Sequence, residues 1–469
     1  MSLTYFFILP LLALFLSPLF KNIYRVVSFA LSLSYIYFSF FYFDKIGLRE
    51  YISYEAPFSI SFTLSSASWF FVAFFSFIYL FYTLYHLNEK EKKEHFIMVN
   101  ILMGSMFGLV LSSDIFNIYI FFEIVSIAAY ILTSSNKDKK AYGGAIKYMI
   151  IGTIASIFLL LGIMVIYLQL GTLNLYEISQ DFGTIEDKLQ FFILLCLFIG
   201  FGIKAEIFPL NFWVADIYES APSHITALFS SIVSKGYIFV FFNIAYSLDI
   251  EPLMFGFFAF MGLLSFVVAE ISAFKTTNIQ RLFAYSTLGQ LGIIFFAFSL
   301  ENIALLSAGL FLVVVHAIAK LNIFLGVDVL RKSFKSDDKD IITLFSSYIL
   351  SFVFIVSFLS ILGIPPFAGF VAKLNILSAL ASLENYIAIL VIIVVSLVEG
   401  AYLFRLLYNG ADKNIKIQSD KKSITLGFFQ KLSFIILSLL IIYLGLFSDG
   451  LMDITKSAAE YFIKGGLGV

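Results

Sequence analysis

Side chains that carry metal, redox or nucleotide chemistry are scarce in this sequence of 469 residues. The single cysteine, Cys196, can neither close a disulfide within the chain nor hold an iron–sulfur cluster. No Walker loop, HExxH or CxxC pattern or nucleophile elbow occurs. Three of the four histidines, His86, His95 and His224, lie near the ends of apolar runs, where we expect structural roles. We therefore expect no cofactor and no metal ion in this chain.

Charge is also sparse. Charged residues make up 13% of the sequence, whereas soluble domains carry about a quarter. The net charge of −1 and the lack of a contiguous basic patch argue against a nucleic-acid partner. Apolar runs of about 20 residues, long enough to cross a bilayer, recur from end to end. This pattern predicts an all-α polytopic membrane protein of about 14 transmembrane helices, the first of them a retained span rather than a signal peptide.

The polar connections between the apolar runs divide by charge. The positive-inside rule assigns the basic set to the cytoplasm, so we predict a cytoplasmic (inner) membrane protein with both termini on the outer side. The opposite loops hold only Lys45, Arg49 and Lys188, and the C-terminal tail adds Lys456 and Lys464. The basic set is Lys21, Arg25, Lys90, Lys92, Lys93, Lys137, Lys139, Lys140, Lys275, Arg281, Arg331, Lys332, Lys335, Lys339, Lys413, Lys416, Lys421 and Lys422.

Several charged side chains lie inside the apolar runs. A charge at the centre of a bilayer helix costs about 2.5–3.5 kcal/mol on insertion scales, so such residues usually mark an ion or proton pathway. A buried lysine beside a carboxylate holds a proton that it can pass on when the partner moves. We predict a proton relay made of these side chains: Glu123, Lys204, Lys235, His316, Lys320 and Lys373.

The relay prediction has weaker members and an alternative. His316 and Lys320 are one turn apart and share a helix face, which makes a purely structural histidine the less favoured interpretation. Glu399, Glu206 and Asp216 are further possible members. The alternative for each charge is a buried ion pair kept for packing. Because desolvation offsets the Coulomb gain, such pairs stabilise poorly, which favours a functional role.

Proline interrupts two of the apolar runs, at residues 200–213 and 363–370. These breaks are five predicted spans apart, so the blocks that contain them have opposite orientations in the membrane. Broken helices at corresponding positions of two halves indicate an inverted repeat with ion sites near the midplane. We divide the chain into N-terminal helices 1–3 (1–95), a first five-helix repeat (96–247), a second, inverted five-helix repeat (248–410), and a C-terminal helix and tail (411–469).

Eight motifs between about Met103 and Leu407 occur in the order of one known family. The chain resembles the antiporter-like, proton-conducting membrane subunits of respiratory complex I, of Mrp-type sodium/proton antiporters and of membrane-bound hydrogenases. The longest matches are Leu111-Ser-Ser-Asp-Ile-Phe-Asn-Ile-Tyr-Ile-Phe-Phe-Glu, Lys204-Ala-Glu-Ile-Phe-Pro-Leu-Asn-Phe-Trp, Arg281-Leu-Phe-Ala-Tyr-Ser, His316-Ala-Ile-Ala-Lys and Gly363-Ile-Pro-Pro-Phe-Ala-Gly-Phe-Val-Ala-Lys.

The resemblance implies fourteen helices with two inverted five-helix repeats, and a role for each relay residue. It implies that Glu123 pairs with Lys204, that Lys235 is the central carrier, that His316 and Lys320 bridge the halves, and that Lys373 is the terminal site. The sequence departs from the family pattern at Asn211, Ala215 and Gln280, where histidine, proline and lysine are usual, and at Glu206, where a small neutral residue is usual. We expect Glu206 to offer Lys204 a competing partner.

Three functions stay open at this point. The first is a proton-translocating subunit of a redox-driven complex, of the NADH/quinone oxidoreductase or hydrogenase type, whose electron carriers lie in other subunits. The second is a subunit of an Mrp-type cation (Na⁺)/proton antiporter, and the third a stand-alone transporter or a scaffold. The expected partners are other membrane subunits, including homologous antiporter-like ones, the lipid bilayer, and H⁺ with Na⁺ as the alternative ion. Whether the chain counts as part of a translocating enzyme depends on that choice.

Overall fold

The computed structural model describes residues 2–16, 24–52, 60–89, 91–248, 250–338, 347–411 and 424–465. Within these ranges the chain forms nineteen α-helices and one two-stranded sheet. The first helices are α1 (Tyr5–Leu16), α2 (Tyr24–Phe41), α3 (Ser66–His86), α4 (Lys93–Leu111), α5 (Ile115–Thr133), α6 (Lys139–Leu170), α7 (Leu175–Asp181), α8 (Asp187–Lys204), α9 (Val214–Ser220) and α10 (Ser223–Leu228). The remainder are α11 (Ser234–Ser247), α12 (Pro252–Lys275), α13 (Ile279–Phe298), α14 (Ile303–Phe334), α15 (Tyr348–Leu362), α16 (Ala368–Ser382), α17 (Tyr386–Ala411), α18 (Phe428–Leu446) and α19 (Asp449–Ile463).

The sheet is a small hairpin near the N-terminal helices. Strand β1 (Leu48–Tyr51) pairs antiparallel with β2 (Ser61–Leu64), and Leu48 lies opposite Leu64. The predicted linker at residues 412–423, and the predicted loop residues Lys21, Lys90 and Lys339, lie outside the described ranges.

The helices confirm an all-helical, multi-pass membrane protein. Among the described residues, eleven helices are long and apolar enough to cross a membrane, and α15 and α16 are shorter apolar helices. The apolar run that contains the second predicted proline break is divided between these two helices, because residues 363–367 interrupt it. The two prolines in that interval cannot donate the backbone hydrogen bonds that a continuous helix needs.

Both predicted breaks stand beside a candidate lysine. Helix α8 ends at Lys204, and Glu206 has a φ of 64° in the turn that leads to Pro209. Helix α15 ends at Leu362, and the next residue, Gly363, has a φ of 79°, the left-handed conformation that commonly follows the end of a helix. Lys373 follows in the second turn of α16. A break in a helix at membrane depth is tolerated where the surrounding protein provides hydrogen-bond partners for the freed backbone groups. Lys204 and Lys373 both lie beside such a break.

A third interruption precedes the central lysine. Residues Phe229–Val233 form a π-helical segment between α10 and α11, and Lys235 is the second residue of α11. Such π segments shift the backbone hydrogen-bond pattern and often occur at functional sites. The apolar windows of 223–247 and of α14 are buried throughout, whereas only about a third of the window in α17 is buried. The helices that carry Lys235, His316 and Lys320 therefore lie in the interior of the protein.

A buried row of lysine and carboxylate side chains

Lys204 lies at the C-terminal end of α8 in an aromatic pocket, with 2% of its surface exposed. Its Nζ donates a hydrogen bond to Tyr130 Oη at 2.9 Å. It also lies 4.8 Å from the ring centres of both Tyr130 and Tyr148, at cation–π distance. Gly152 leaves room for this arrangement, because a Cβ there would stand 2.7 Å from Lys204 Nζ. The near contacts of this lysine are therefore a hydroxyl group and aromatic rings rather than a carboxylate.

The expected ion pair between Glu123 and Lys204 is not formed in this structure. Glu123 is only partly buried, and its Oε1 accepts a short hydrogen bond from Ser156 Oγ. Among the described residues, no ion pair within 4.0 Å joins the two charges, although Glu123 is close enough to act electrostatically on Lys204. Tyrosine and serine hydroxyls take the near contacts, so the two charged groups are neighbours rather than partners.

Glu206 faces the central lysine, not Lys204 as we had expected. Its carboxylate is 4% exposed, accepts hydrogen bonds from Tyr218 Oη at 3.1 and 3.3 Å, and interacts electrostatically with Lys235. Lys235 is fully buried, and its Nζ donates a short hydrogen bond to the backbone oxygen of Ser230 in the π-helical segment. The helix distortion thus supplies a carbonyl for the central lysine.

His316 and Lys320 lie together on α14, as their spacing predicts. Lys320 is fully buried and donates hydrogen bonds to Ser286 Oγ at 2.8 Å and to the backbone oxygen of Phe283 at 3.3 Å. His316 is 1% exposed, and neither ring nitrogen has a hydrogen-bond partner among the described residues. It is close enough to interact electrostatically with Lys235 and Lys320. A buried polar group without a partner in the protein is rare.

Lys373 forms the one direct ion pair between two predicted relay residues in the described ranges. Its Nζ lies 2.7 Å from Glu399 Oε2, and the exposed fractions of the two side chains are 9% and 0%. Glu399 Oε1 accepts a second hydrogen bond, from Gln290 Nε2 at 2.6 Å. Gly363 borders the pair, because a Cβ there would lie 2.9 Å from Lys373 Cδ. Glu399 is thus a partner of the terminal lysine.

Glu270 is a further member that the sequence analysis missed. It lies on α12, is fully buried, and accepts a hydrogen bond from Tyr402 Oη at 2.8 Å. It interacts electrostatically with Glu399 and Lys320, so it connects the centre to the terminal pair. A carboxylate within an apolar run was the signal that selected Glu123, and the same signal is present at Glu270. We call the following residues together the buried polar row: Glu123, Lys204, Glu206, Lys235, His316, Lys320, Glu270, Glu399 and Lys373.

Asp216 belongs to a different cluster. Its carboxylate pairs with Arg281 at 2.8 Å and makes a short contact with Lys147, while Glu219 pairs with Arg281 at 2.7 Å and with Lys140 at 3.0 Å. These side chains are 22–47% exposed. The geometry therefore removes Asp216 from the relay and assigns it to a surface ion network.

In the buried polar row, lysines, which can carry a proton, lie near carboxylates, which can accept one. Each lysine has a carboxylate within electrostatic reach: Glu123 acts on Lys204, Glu206 on Lys235, and Glu270 and Glu399 on Lys320. Three residues of the row contact a tyrosine hydroxyl: Lys204 contacts Tyr130, Glu206 contacts Tyr218, and Glu270 contacts Tyr402. Fold and site together define an all-helical, multi-pass membrane protein with lysine and carboxylate side chains buried in its interior.

Comparison with known proteins identifies the family. Residues 112–398 match the family described as NADH:quinone oxidoreductase/Mrp antiporter, transmembrane, and the chain belongs to this family. All six predicted relay residues, from Glu123 to Lys373, lie within the matched range. This confirms the resemblance that the ordered motifs indicated.

Individual relatives come from both branches of that family. The chain is 31% identical to NADH-quinone oxidoreductase subunit N of Cytophaga hutchinsonii, over 80% of this chain and 82% of that protein. It is 27% identical to an Na⁺/H⁺ antiporter subunit of Alkalihalophilus pseudofirmus, over 66% of this chain and 64% of that protein. A chain of the archaeal membrane-bound sulfane sulfur reductase, a respiratory membrane complex, superposes with a TM-score of 0.91 at 26% identity, covering 98% of this chain and 97% of that one. These relatives are subunits of multi-subunit membrane complexes.

Proposed function

We propose that this chain translocates protons across the membrane along the buried polar row, as a subunit of a redox-driven complex. The observation that carries the proposal is that each of four buried lysines has a carboxylate in contact or within electrostatic reach. Burying a charge without a partner is costly, so each lysine depends on a neighbour that can move or be neutralised. A proton that moves to or from one lysine then changes the electrostatic energy of the charged groups next to it.

Lys235 is the central residue of this scheme. It lies within electrostatic reach of one opposite charge, Glu206, and of one like charge, Lys320. A proton arriving at Lys320 therefore promotes release from Lys235. His316 is within electrostatic reach of both lysines, and neither of its ring nitrogens has a hydrogen-bond partner in the described part of the protein. A histidine in that position can take a proton on one nitrogen and give one from the other.

The redox-driven assignment rests on the relatives. The sulfane sulfur reductase chain resembles almost the whole of this one and belongs to a respiratory complex, and the Cytophaga relative is a subunit of a quinone oxidoreductase. The proposal includes the finer architecture of fourteen helices in two inverted five-helix repeats with the boundaries given above. It also includes residence in the cytoplasmic membrane with both termini on the outer side, and partners that include homologous antiporter-like subunits.

An Mrp-type antiporter subunit is the second candidate, and the similarity to the Na⁺/H⁺ antiporter protein of Alkalihalophilus pseudofirmus favours it. The two candidates differ in what drives the ion. Reconstituted into vesicles, a redox-driven assembly acidifies or alkalinises the lumen only when electron donor and acceptor are added. An antiporter moves protons in response to an imposed Na⁺ gradient without them.

Lys235→Met tests the relay itself. Methionine has a similar length and no charge, so it removes the proton carrier while filling the buried space. We expect the purified native assembly with this change to form normally and to lose proton translocation down to the background leak, measured with a pH-sensitive dye in vesicles.

The matched control is Lys456→Met on α19, where the same substitution is made at an exposed position. This variant should translocate protons at the parental rate. Full proton translocation by the Lys235→Met assembly would refute the proposal that Lys235 is the central carrier.

A further inference from the structure

Three of the four histidines of the chain meet at one place, although they lie far apart in the sequence. His86 is the last residue of α3, His95 lies in the first turn of α4, and His224 lies in the first turn of α10. One ligand nitrogen from each ring lies within 4.8 Å of those of the other two, and the ring centres are 5.2–5.4 Å apart. We call these three residues the histidine cluster.

One ring nitrogen of each histidine is held by a second protein group. His86 Nδ1 lies 2.8 Å from the backbone oxygen of Tyr82, and His95 Nε2 lies 3.1 Å from Tyr82 Oη. His224 Nδ1 lies 3.1 Å from Asp328 Oδ1. Histidines that bind a metal almost always have this arrangement, in which a carbonyl, hydroxyl or carboxylate orients the ring and leaves the other nitrogen for the ion.

The other nitrogens are available to a ligand. His86 Nε2 and His95 Nδ1 are buried and have no hydrogen-bond partner in the described part of the chain. Their side chains are 0% and 5% exposed, and His224 is 4% exposed. Buried polar atoms normally have a partner, so these two nitrogens are free to accept a ligand from outside the described residues. No hydrogen bond among the described residues joins one histidine ring to another.

We propose that His86, His95 and His224 bind one divalent transition-metal ion of the zinc class. Three neutral imidazoles are a preferred ligand set for Zn²⁺, and sites of this kind keep the fourth position open. In a tetrahedral site with Zn–N bonds of about 2.0–2.1 Å the ligand nitrogens are about 3.3 Å apart, so binding requires only small rotations of the three rings. Hard cations such as Mg²⁺ prefer oxygen ligands and are not expected here.

The open fourth position has access to a polar cavity. A cavity of about 610 Å³ is lined by His95, His224 and Asp328, and it extends to Glu91 and Glu94. The wall of the cavity carries basic side chains as well as carboxylates, among them Lys92, Arg331 and Lys332, and the volume leaves room for water or a small anion as the fourth ligand. Asp328 also pairs with Lys332 at 2.8 Å, which fixes the carboxylate that orients His224.

The test is Co²⁺ binding to the full chain in its native assembly, purified with an affinity tag that contains no histidine. Co²⁺ substitutes for Zn²⁺ in such sites and its visible absorption reports tetrahedral coordination. We expect one Co²⁺ per chain, displacement by Zn²⁺, and no displacement by excess Mg²⁺. Failure of the parental protein to bind Co²⁺ or Zn²⁺ in this ratio would overturn the proposal, whatever the variants do.

Variants locate the site. His86→Gln, His95→Gln and His224→Gln should each abolish the tetrahedral Co²⁺ spectrum, whereas His316→Gln, which changes the fourth histidine, should leave it unchanged. Asp328→Asn should weaken Co²⁺ binding about 10–100-fold, as expected for loss of an orienting carboxylate. Melting temperatures with and without Zn²⁺ separate misfolding from loss of the site: Zn²⁺ should raise the value for the parental protein and not for His95→Gln. Unchanged Co²⁺ binding in the three cluster variants would show that the ion lies elsewhere and would refute the assignment.

Discussion

The ion pair between Lys373 and Glu399 provides the sharpest quantitative test of the buried polar row. At the 2.7 Å separation of Nζ and Oε2, two unit charges attract by about 6 kcal/mol at an effective dielectric constant of about 20. Desolvation costs several kcal/mol per ion and cancels much of this gain, but removal of one partner leaves an uncompensated buried charge. We therefore expect a single neutralising substitution to lower the free energy of unfolding by about 3–5 kcal/mol.

The two single variants should not be equal. In Lys373→Met, the Glu399 carboxylate keeps the hydrogen bond from Gln290 at 2.6 Å. In Glu399→Gln, the ammonium group of Lys373 retains only 3.5 Å contacts to the oxygens of Leu362 and Ser396. Glu399→Gln should therefore destabilise the protein more. The double variant removes both charges and should recover most of the lost stability, since neutral replacements of buried pairs are often tolerated.

The assay combines a double-mutant cycle with transport. Unfolding of the purified chain in detergent gives the stability of the parental protein, the two single variants and the double variant, and dye quenching in vesicles gives proton translocation. We expect a large favourable coupling energy in stability, together with loss of translocation in all three variants, because each variant lacks Lys373, its carboxylate partner Glu399, or both.

Two outcomes would contradict this reasoning. A loss of less than about 1 kcal/mol in Glu399→Gln, the range of exposed ion pairs, would show that the pair is not desolvated. Restored proton translocation in the double variant would show that the pair serves stability alone.

Two smaller predictions concern α6 and the loop after α14. Gly152→Ala should reduce proton translocation severalfold, because its Cβ would stand 2.7 Å from Lys204 Nζ. The control is Gly143→Ala on the same helix, where a Cβ meets nothing within 4 Å, and this variant should leave the measured rate unchanged. Equal rates in the two variants would contradict the interpretation that the pocket around Lys204 is crowded. Burial alone would raise the pKa of Asp337, but the hydrogen bond from Arg331, 2.7 Å away, and the neighbouring positive charges outweigh it and hold that pKa below its ordinary value. The stabilisation from this depressed pKa is present at neutral pH and is lost as the pH falls through the pKa of Asp337. Asp337→Asn should therefore lower stability at neutral pH and flatten the acid side of a stability–pH curve. An unchanged curve would show that Asp337 does not contribute to stability in this way.

Much of the fold was predictable because the bilayer imposes simple requirements. Apolar runs of spanning length identified a multi-pass helical protein, and the two proline breaks were located correctly at the ends of α8 and α15. Lys204, Lys235, Lys320 and Lys373 could be selected from the sequence because an isolated charge in an apolar run is costly wherever it lies. The structure confirms that all four are buried.

The partners of those lysines could not be predicted in the same way. A carboxylate can serve any lysine that folding brings near it, so sequence distance gave the wrong partner for Glu206 and did not reveal Glu270 at all. Asp216 follows a broken helix just as Glu206 does, yet it pairs with Arg281 in a surface network. Only the packing of helices from different parts of the chain separates these cases.

The sequence by itself determined the class of this protein: a polytopic helical bundle with buried lysines, two broken helices and the motifs of an antiporter-like family. These properties are local, since hydrophobic length, backbone geometry at proline and the cost of burying a charge depend on neighbouring residues alone. The tertiary structure decided which charges touch. It joined Lys373 to Glu399, placed the π-helical segment under Lys235, and gathered His86, His95 and His224 from three helices into one candidate metal site, because contacts between distant residues depend on how the whole chain packs.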